Sequence, residues 1–236
     1  MDFLKKTVDR AKQGIQENFG DAMRTEFEPE FQALLNKSDD VKTYTEKLLS
    51  SIECIAQPDP TARLLPGFTQ TDAVNACQQM AGNMGGFAKA IAVWAPAAPE
   101  LSAVMKSGDD TFTKMGKAQD EYLADVHSKV VTPMRRFLNE DMKNLEAERR
   151  TLNTRRLDMD SVKNKIHKNP DNKALEDDLN KAIAAFDEQK NKVKEMIEAM
   201  DKQHGAVQTH VKTFVQLHAK VLKTQQQALE DYTKRL

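Results

Sequence analysis

The sequence predicts an all-α fold of long helices, and three features carry that prediction. Apolar residues recur at steps of three, four or seven over stretches far longer than an average helix, as at Leu138, Met142, Leu145, Leu152, Met159, Val162 and Ile166. Breakers are few, with 9 Gly and 8 Pro in 236 residues, and most mark points where the apolar pattern stops or thins. Charged residues make up 30% and hydrophobic ones 39%, the balance of solvated helices rather than of a sandwich or barrel.

The chain opens with an amphipathic segment, residues 1–20. Wound as a helix at about 100° per residue, Leu4, Val8, Ala11, Ile15 and Phe19 fall within a sector of roughly 80°. Lys5, Lys6, Arg10 and Lys12 flank or oppose it, alongside the acids Asp2, Asp9 and Glu17. Such a segment suits a helix lying in a membrane interface. An ordinary core helix fits the same residues.

From Ala22 the pattern resumes through Phe27, Phe31, Leu34, Leu35, Val41, Tyr44, Leu48, Ile52 and Ile55. Pro29 is placed where a helix start tolerates it, and Gln57-Pro58-Asp59-Pro60 ends the run. Residues 58–71 interrupt the helix and carry Arg63 together with the apolar group Leu64, Leu65 and Phe68. A helix returns from about Asp72, with Met80, Met84, Phe87, Ile91 and Trp94 as its stripe and Gly82, Gly85 and Gly86 as a thin side. Ala95-Pro96-Ala97-Ala98-Pro99 reads as a turn.

Residues 100–166 hold no strong breaker except Pro133, which mid-pattern kinks a helix rather than ending it. A helix of that length would run on the order of 100 Å. Its far end is basic: Arg149, Arg150, Arg155, Arg156, Lys163, Lys165 and Lys168 stand against Asp158 and Asp160. Residues 167–173 are a turn by composition. Beyond them Leu179, Phe186, Val193, Met200, Val207, Phe214, Val221 and Ala228 keep a heptad spacing, with Lys190, His204, His218 and Gln225 as polar residues on the seam. Stripes this continuous on so thin a bundle call for a partner, most simply a second copy.

Several chemistries are not encoded. The five histidines stand neither at metal-ligand spacing from each other nor near the cysteines, so no metal or cofactor is expected, and no catalytic constellation is present. A net charge of −1 does not suit a bulk nucleic-acid binder. Cys54 and Cys77 fit a reducing, cytoplasmic setting without a disulfide framework. No apolar run reaches the ~20 residues that span a bilayer.

Thr45-Glu46-Lys47, Gln57-Pro58-Asp59-Pro60-Thr61-Ala62-Arg63, Thr132-Pro133 and Arg155-Arg156-Leu157-Asp158-Met159-Asp160 together resemble the endophilin N-BAR domain, with a lean toward the endophilin B branch. The resemblance implies a BAR fold: three long kinked antiparallel helices per subunit, forming a crescent-shaped six-helix-bundle homodimer. Residues 21–236 would be the BAR domain, 58–71 the insert of its first helix and 167–173 its tip. It implies a peripheral protein of the cytoplasm that senses and induces curvature on anionic phospholipid membranes in endocytic or organelle trafficking. Leu4, Val8, Ile15 and Phe19 would insert. Lys5, Lys6, Arg10, Lys12, Arg63, Lys163, Lys165 and Lys168 would meet headgroups, and Leu64, Leu65 and Phe68 would form a second wedge. Arg155 and Arg156 are expected to pair instead with the acids of helix three (Glu176, Asp177, Asp178, Asp187, Glu188). The family's SH3 domain is not read in these residues, so no SH3-mediated partner is expected from this chain. A coiled-coil scaffold that never touches lipid fits the heptads equally well.

Overall fold

A computed structural model describes residues 24–65, 68, 75–94, 99–201 and 204–236, and every long regular element among them is helical. The leading segment, residues 1–20, lies outside the described residues, as do the proline-rich turn after Trp94 and much of the second half of the insert. The helices are α1 (Pro29–Ala56), the short α2 (Pro60–Arg63), α3 (Ala76–Trp94), α4 (Pro99–Val126), α5 (Thr132–Arg136), α6 (Lys143–Lys168), α7 (Lys173–Asp201) and α8 (His204–Thr233). Two wider π segments, His127–Val131 and Phe137–Met142, join α4, α5 and α6 into one continuous helical run.

The local chemistry accounts for these limits. Pro29 opens α1, where a missing N–H has no partner to lose, and Glu30 sits in the first turn against the positive end of the helix dipole. Pro58 stops it, because the residue before a proline is disfavoured in helical backbone. The tip turn falls at 169–172, with the Asn169 N–H closing back on Lys165 and Ile166. Pro133 does not end the helix. Its ring would press on the carbonyl four residues back, and the preceding turn widens instead, the Thr132 N–H reaching the His127 carbonyl five residues back.

The chain divides into two compact units, Met1–Tyr44 with Phe137–His204 and Thr45–Arg136 with Gly205–Leu236. In the first, α6 packs on α7, and the start of α1 joins them around Phe31, Leu35, Met142, Leu145, Leu152, Met159, Phe186, Val193 and Ile197. These include Met142, Leu145, Leu152 and Met159 of the stripe expected along residues 138–166 and Phe186 and Val193 of that expected on α7, while Val162 and Ile166 are only half-buried. Three of the polar seam residues have specific partners: Lys190 Nζ reaches Glu28 at 3.0 Å in the first unit, and in the second His218 Nδ1 meets the Tyr122 hydroxyl at 2.9 Å and Gln225 meets Gln119 at 3.2 Å.

In the second unit α3 packs along α4. The stripe that α3 buries is Ala81, Met84, Ala88 and Ile91, while Met80, Phe87 and Trp94 of the expected stripe are exposed. The small alanines face inward because α4 comes close. A Cβ on Gly116 would stand 2.5 Å from Gln78 Cγ and 3.3 Å from the Gln78 backbone nitrogen. Of the three glycines on α3, only Gly85 meets a neighbour, the Asp109 carboxylate.

Gly116→Val should therefore lower stability by about 1–3 kcal/mol through overpacking. Gly86→Ala, with nothing near its added methyl, should raise it by about 0.5–1 kcal/mol. Urea unfolding followed by circular dichroism reads both changes.

Candidate functional site

The basic end of α6 is built around a buried ion pair. Over Lys143–Lys168 eight basic residues stand against four acidic ones. Leu145, Leu152 and Met159 point into the core at heptad spacing, and the helix turn then carries Arg156 and Asp160 inward on the same side. Arg156 is 4% exposed and Asp160 is fully buried. Arg156 Nη1 donates to Asp160 Oδ2 at 3.0 Å, and Nε and Nη2 donate to Asn153 Oδ1 at 3.3 and 3.2 Å. Arg156 thus pairs structurally, as expected, and among the described residues the carboxylate it meets is Asp160 of its own helix, where the acids of helix three were the expected partners; one turn of helix brings i and i+4 together. Arg155 stays exposed.

The remaining lone pairs of Asp160 are met from the residues ahead of α1. The Thr25 N–H donates to Asp160 Oδ2 at 3.0 Å, and the Thr25 hydroxyl donates to Oδ1 at 2.5 Å. Lys163 Nζ donates to Thr25 Oγ1 at 2.8 Å. Two residues on, Phe27 stacks against Phe186 at 6.1 Å and meets Phe31 edge-on. Glu28 takes the Lys190 ammonium, which holds its carboxyl below the usual range. Thr25, Phe27 and Glu28 are thereby fastened to α6 and α7, while Arg24 and Glu26 face outward.

The predicted headgroup residues are spread unevenly. Lys163 is half-buried against Thr25, Lys165 is half-buried, and Lys168 is exposed at the tip. Arg149 is tied to Asp39 of α1, with Nη2 to Oδ2 at 3.0 Å, while Arg150 projects outward 3.9 Å from Glu146. Leu4, Lys5, Lys6, Val8, Arg10, Lys12, Ile15 and Phe19 lie outside the described residues.

The insert belongs to the second unit. Asp59 caps α2 by accepting the Thr61 N–H at 2.8 Å, with Pro60 in the first turn. Arg63 is half-buried and lays its guanidinium on Cys54 Sγ. Leu64 is 86% exposed and Leu65 half-buried, but Phe68 is not on the surface: it is fully buried, edge-on to the His127 ring at 5.3 Å. Of the three residues expected to form the second wedge, Phe68 is thus taken out of it by burial. Phe68 adopts φ 58, a left-handed backbone rare for a bulky residue, and that turn, with Gln57 Nε2 donating to its carbonyl at 3.2 Å, folds its ring inward.

Two features escaped sequence reasoning. Asp160 stands in the sequence beside Asp158 as one of the few acids of a basic end, and its place four residues after Arg156 is the signal for a pair. The exposed residues Val215, Leu222, Leu229 and Leu236 form a second heptad on the last helix and its end, one position after the buried Phe214, Val221 and Ala228.

Arg156→Ala would leave a buried carboxylate without its cation and should cost about 3–5 kcal/mol, read as an earlier urea midpoint. His127 is held below its ordinary value of 6.5 by burial first and by Arg135 next, with Glu53 opposing. The unfolded chain then binds the extra proton more readily, so stability should fall as pH drops through that value. His127→Gln should flatten that part of a thermal-melt profile taken from neutral to mildly acid pH.

A sequence profile of the BAR domain matches residues 4–236. Endophilin-B2 of Bos taurus is 32% identical over 162 residues, which cover 67% of this chain and 41% of that protein. Endophilin-B1 of Gallus gallus is 30% identical over 173 residues, covering 68% of this chain and 44% of the relative. Endophilin-B1 of Rattus norvegicus is 27% identical over 205 residues, covering 84% of this chain and 56% of the relative. The chain spans roughly two fifths to just over half the length of the relatives it matches. With the helical architecture above, the match across nearly every residue places this chain in the BAR-domain family, on its endophilin side.

Proposed function

We propose that this chain dimerises and binds membranes peripherally, sensing and inducing curvature on anionic bilayers. The observation that carries the reading is the BAR-domain match over residues 4–236. Among the described residues no helix is long and apolar enough to cross a membrane, which suits a protein that lies on a bilayer.

Two further observations support it. Arg150, Arg155 and Lys168 present cations on α6, and each basic group near an anionic leaflet contributes ~1 kcal/mol. Burying Leu4, Val8, Ile15 and Phe19 in the interface would contribute ~1.5–3 kcal/mol per side chain at most, against an ordering cost of ~1–2 kcal/mol per residue. That near balance makes insertion sensitive to lipid packing defects, which curvature supplies.

The exposed apolar side chains support the dimer. Met80, Phe87 and Trp94 of α3, Leu101 of α4 and Val215, Leu222 and Leu229 of α8 all belong to the second unit. Apolar surface on this scale marks an interaction site, and a second copy is the simplest cover for a continuous heptad. Endocytic or organelle trafficking in the cytoplasm is the setting this activity suits.

Cosedimentation with phosphatidylserine-containing vesicles of several diameters, at low and high salt, tests the reading. Binding should weaken with salt and strengthen on small vesicles, with tubules visible by electron microscopy. The pair Ile15→Glu and Phe19→Glu should abolish binding and leave the dimer intact, while Leu222→Glu with Leu229→Glu should yield monomers by analytical ultracentrifugation. A dimer that ignores vesicles at either salt would instead be a coiled-coil scaffold.

A further inference from the structure

We propose that Phe68 and His127 form an acid-opened latch: while His127 is neutral the Phe68 ring stays inside the second unit, and protonation of His127 releases it to a bilayer beside Leu64 and Leu65. The inference rests on the membrane reading above, and adds to it a wedge residue that is stored at neutral pH and presented at acid pH.

The shut state is strained in its backbone. Phe68 is fully buried, edge-on to His127 with ring centroids 5.3 Å apart. It adopts φ 58, a region that is costly for a bulky residue and persists only where the surroundings enforce it. Gln57 Nε2 donates to its carbonyl and its own N–H donates to the Leu65 carbonyl, both neutral bonds at 3.2 Å. α2 has supports of its own: Asp59 caps it, Ala62 is buried, and Arg63 lies on Cys54. Leu64 and Leu65 therefore keep their places when the ring leaves. Apolar burial is what opposes release in water, and a bilayer offers the ring an equivalent refuge.

His127 supplies the trigger. The charged groups that face it are Arg135, further along the same helical run, and Glu53 of α1, which are joined to each other at 2.8 Å. Asp125 and Lys129, also on that run, close on each other at 2.8 Å. From the insert, among the described residues, the group on the ring is the uncharged Phe68. Burial first and Arg135 next hold His127 below 6.5. An imidazolium needs water that the Phe68 ring keeps away. Releasing the ring restores that water, so the open state binds the proton more tightly than the shut one. The shut state is therefore favoured in full above the ordinary imidazole value and loses ground as pH falls through it.

Two measurements on the full chain test the latch. The first follows the His127 titration by NMR without lipid. Coupling is reciprocal, so Phe68→Ala should move that titration up toward 6.5; an unmoved titration overturns the latch. The second places 4-fluorophenylalanine at position 68 and records its fluorine resonance on phosphatidylcholine–phosphatidylserine vesicles carrying a nitroxide on the acyl chain. The readings are taken at pH ~7.5 and ~5.5, about one unit either side of the ordinary imidazole value. The parent should stay sharp at the higher pH and broaden severalfold at the lower. His127→Gln should stay sharp at both, and Gln57→Ala should broaden at a higher pH than the parent. A vesicle-bound parent that stays sharp at both values, or His127→Gln broadening as the parent does, overturns the latch. A parent that shows the titration coupling but does not sediment with vesicles at either pH overturns the membrane reading instead.

Discussion

A carboxylate sealed from water must find all of its hydrogen bonds within the protein, and Asp160 is such a group. Arg156 alone cannot satisfy it, because one guanidinium nitrogen reaches one oxygen. The other donors come from Thr25, far away in the chain. The residues ahead of α1 are consequently not a loose lead-in. They are drawn onto α6, Phe27 follows into the aromatic pair with Phe186, and Glu28 closes on Lys190. The start of α1 is set by these contacts as much as by Pro29. Pairs of this kind add little net stability over apolar packing; what they contribute is a defined place for one chain segment on another.

The two units differ in how completely they cover themselves. Among the described residues of the first, the heptads of α6 and α7 close on each other and on α1, and Tyr44 is its one large apolar residue left exposed. The second buries Ala81, Met84, Ala88 and Ile91 of α3 but leaves apolar side chains on α3, α4 and α8 facing outward. Water penalises that surface in an isolated chain. On the proposed reading, association acts through the second unit and leaves the basic end of α6, in the first, free for lipid.

The long run from α4 to α6 shows how backbone chemistry supports such a molecule. A proline in a helix interior removes a donor and crowds a carbonyl. Here the turn before it widens to a π register, a second π segment follows at Phe137–Met142, and the helix continues to Lys168. The side chains on either side keep their inward positions, with Val130, Val131 and Met134 buried in the second unit and Met142 and Leu145 in the first.

Much of this was legible in the residues themselves. Prolines placed the stop of α1 and allowed its start at Pro29, composition placed a turn at 167–173 that contains the observed one at 169–172, and heptads named Leu145, Leu152, Met159, Phe186 and Val193 as core. Those features are local: they depend on covalent restrictions and on helical period, which any stretch carries alone. The rest depended on which surfaces meet. Phe68 and Leu64 look alike in sequence, yet a left-handed turn buries one and leaves the other in solvent. Two apolar heptads run side by side on α8, and period alone cannot say that Phe214, Val221 and Ala228 face their own chain while Val215, Leu222 and Leu229 do not. Asp160 carries the same charge as its neighbour Asp158, but only the packing of α6 takes one of them out of water, because burial is a property of the space around a side chain and not of the side chain. The sequence by itself thus determined the helices, their limits and their apolar period; the tertiary structure alone decided which charges became struts and which apolar faces stayed open.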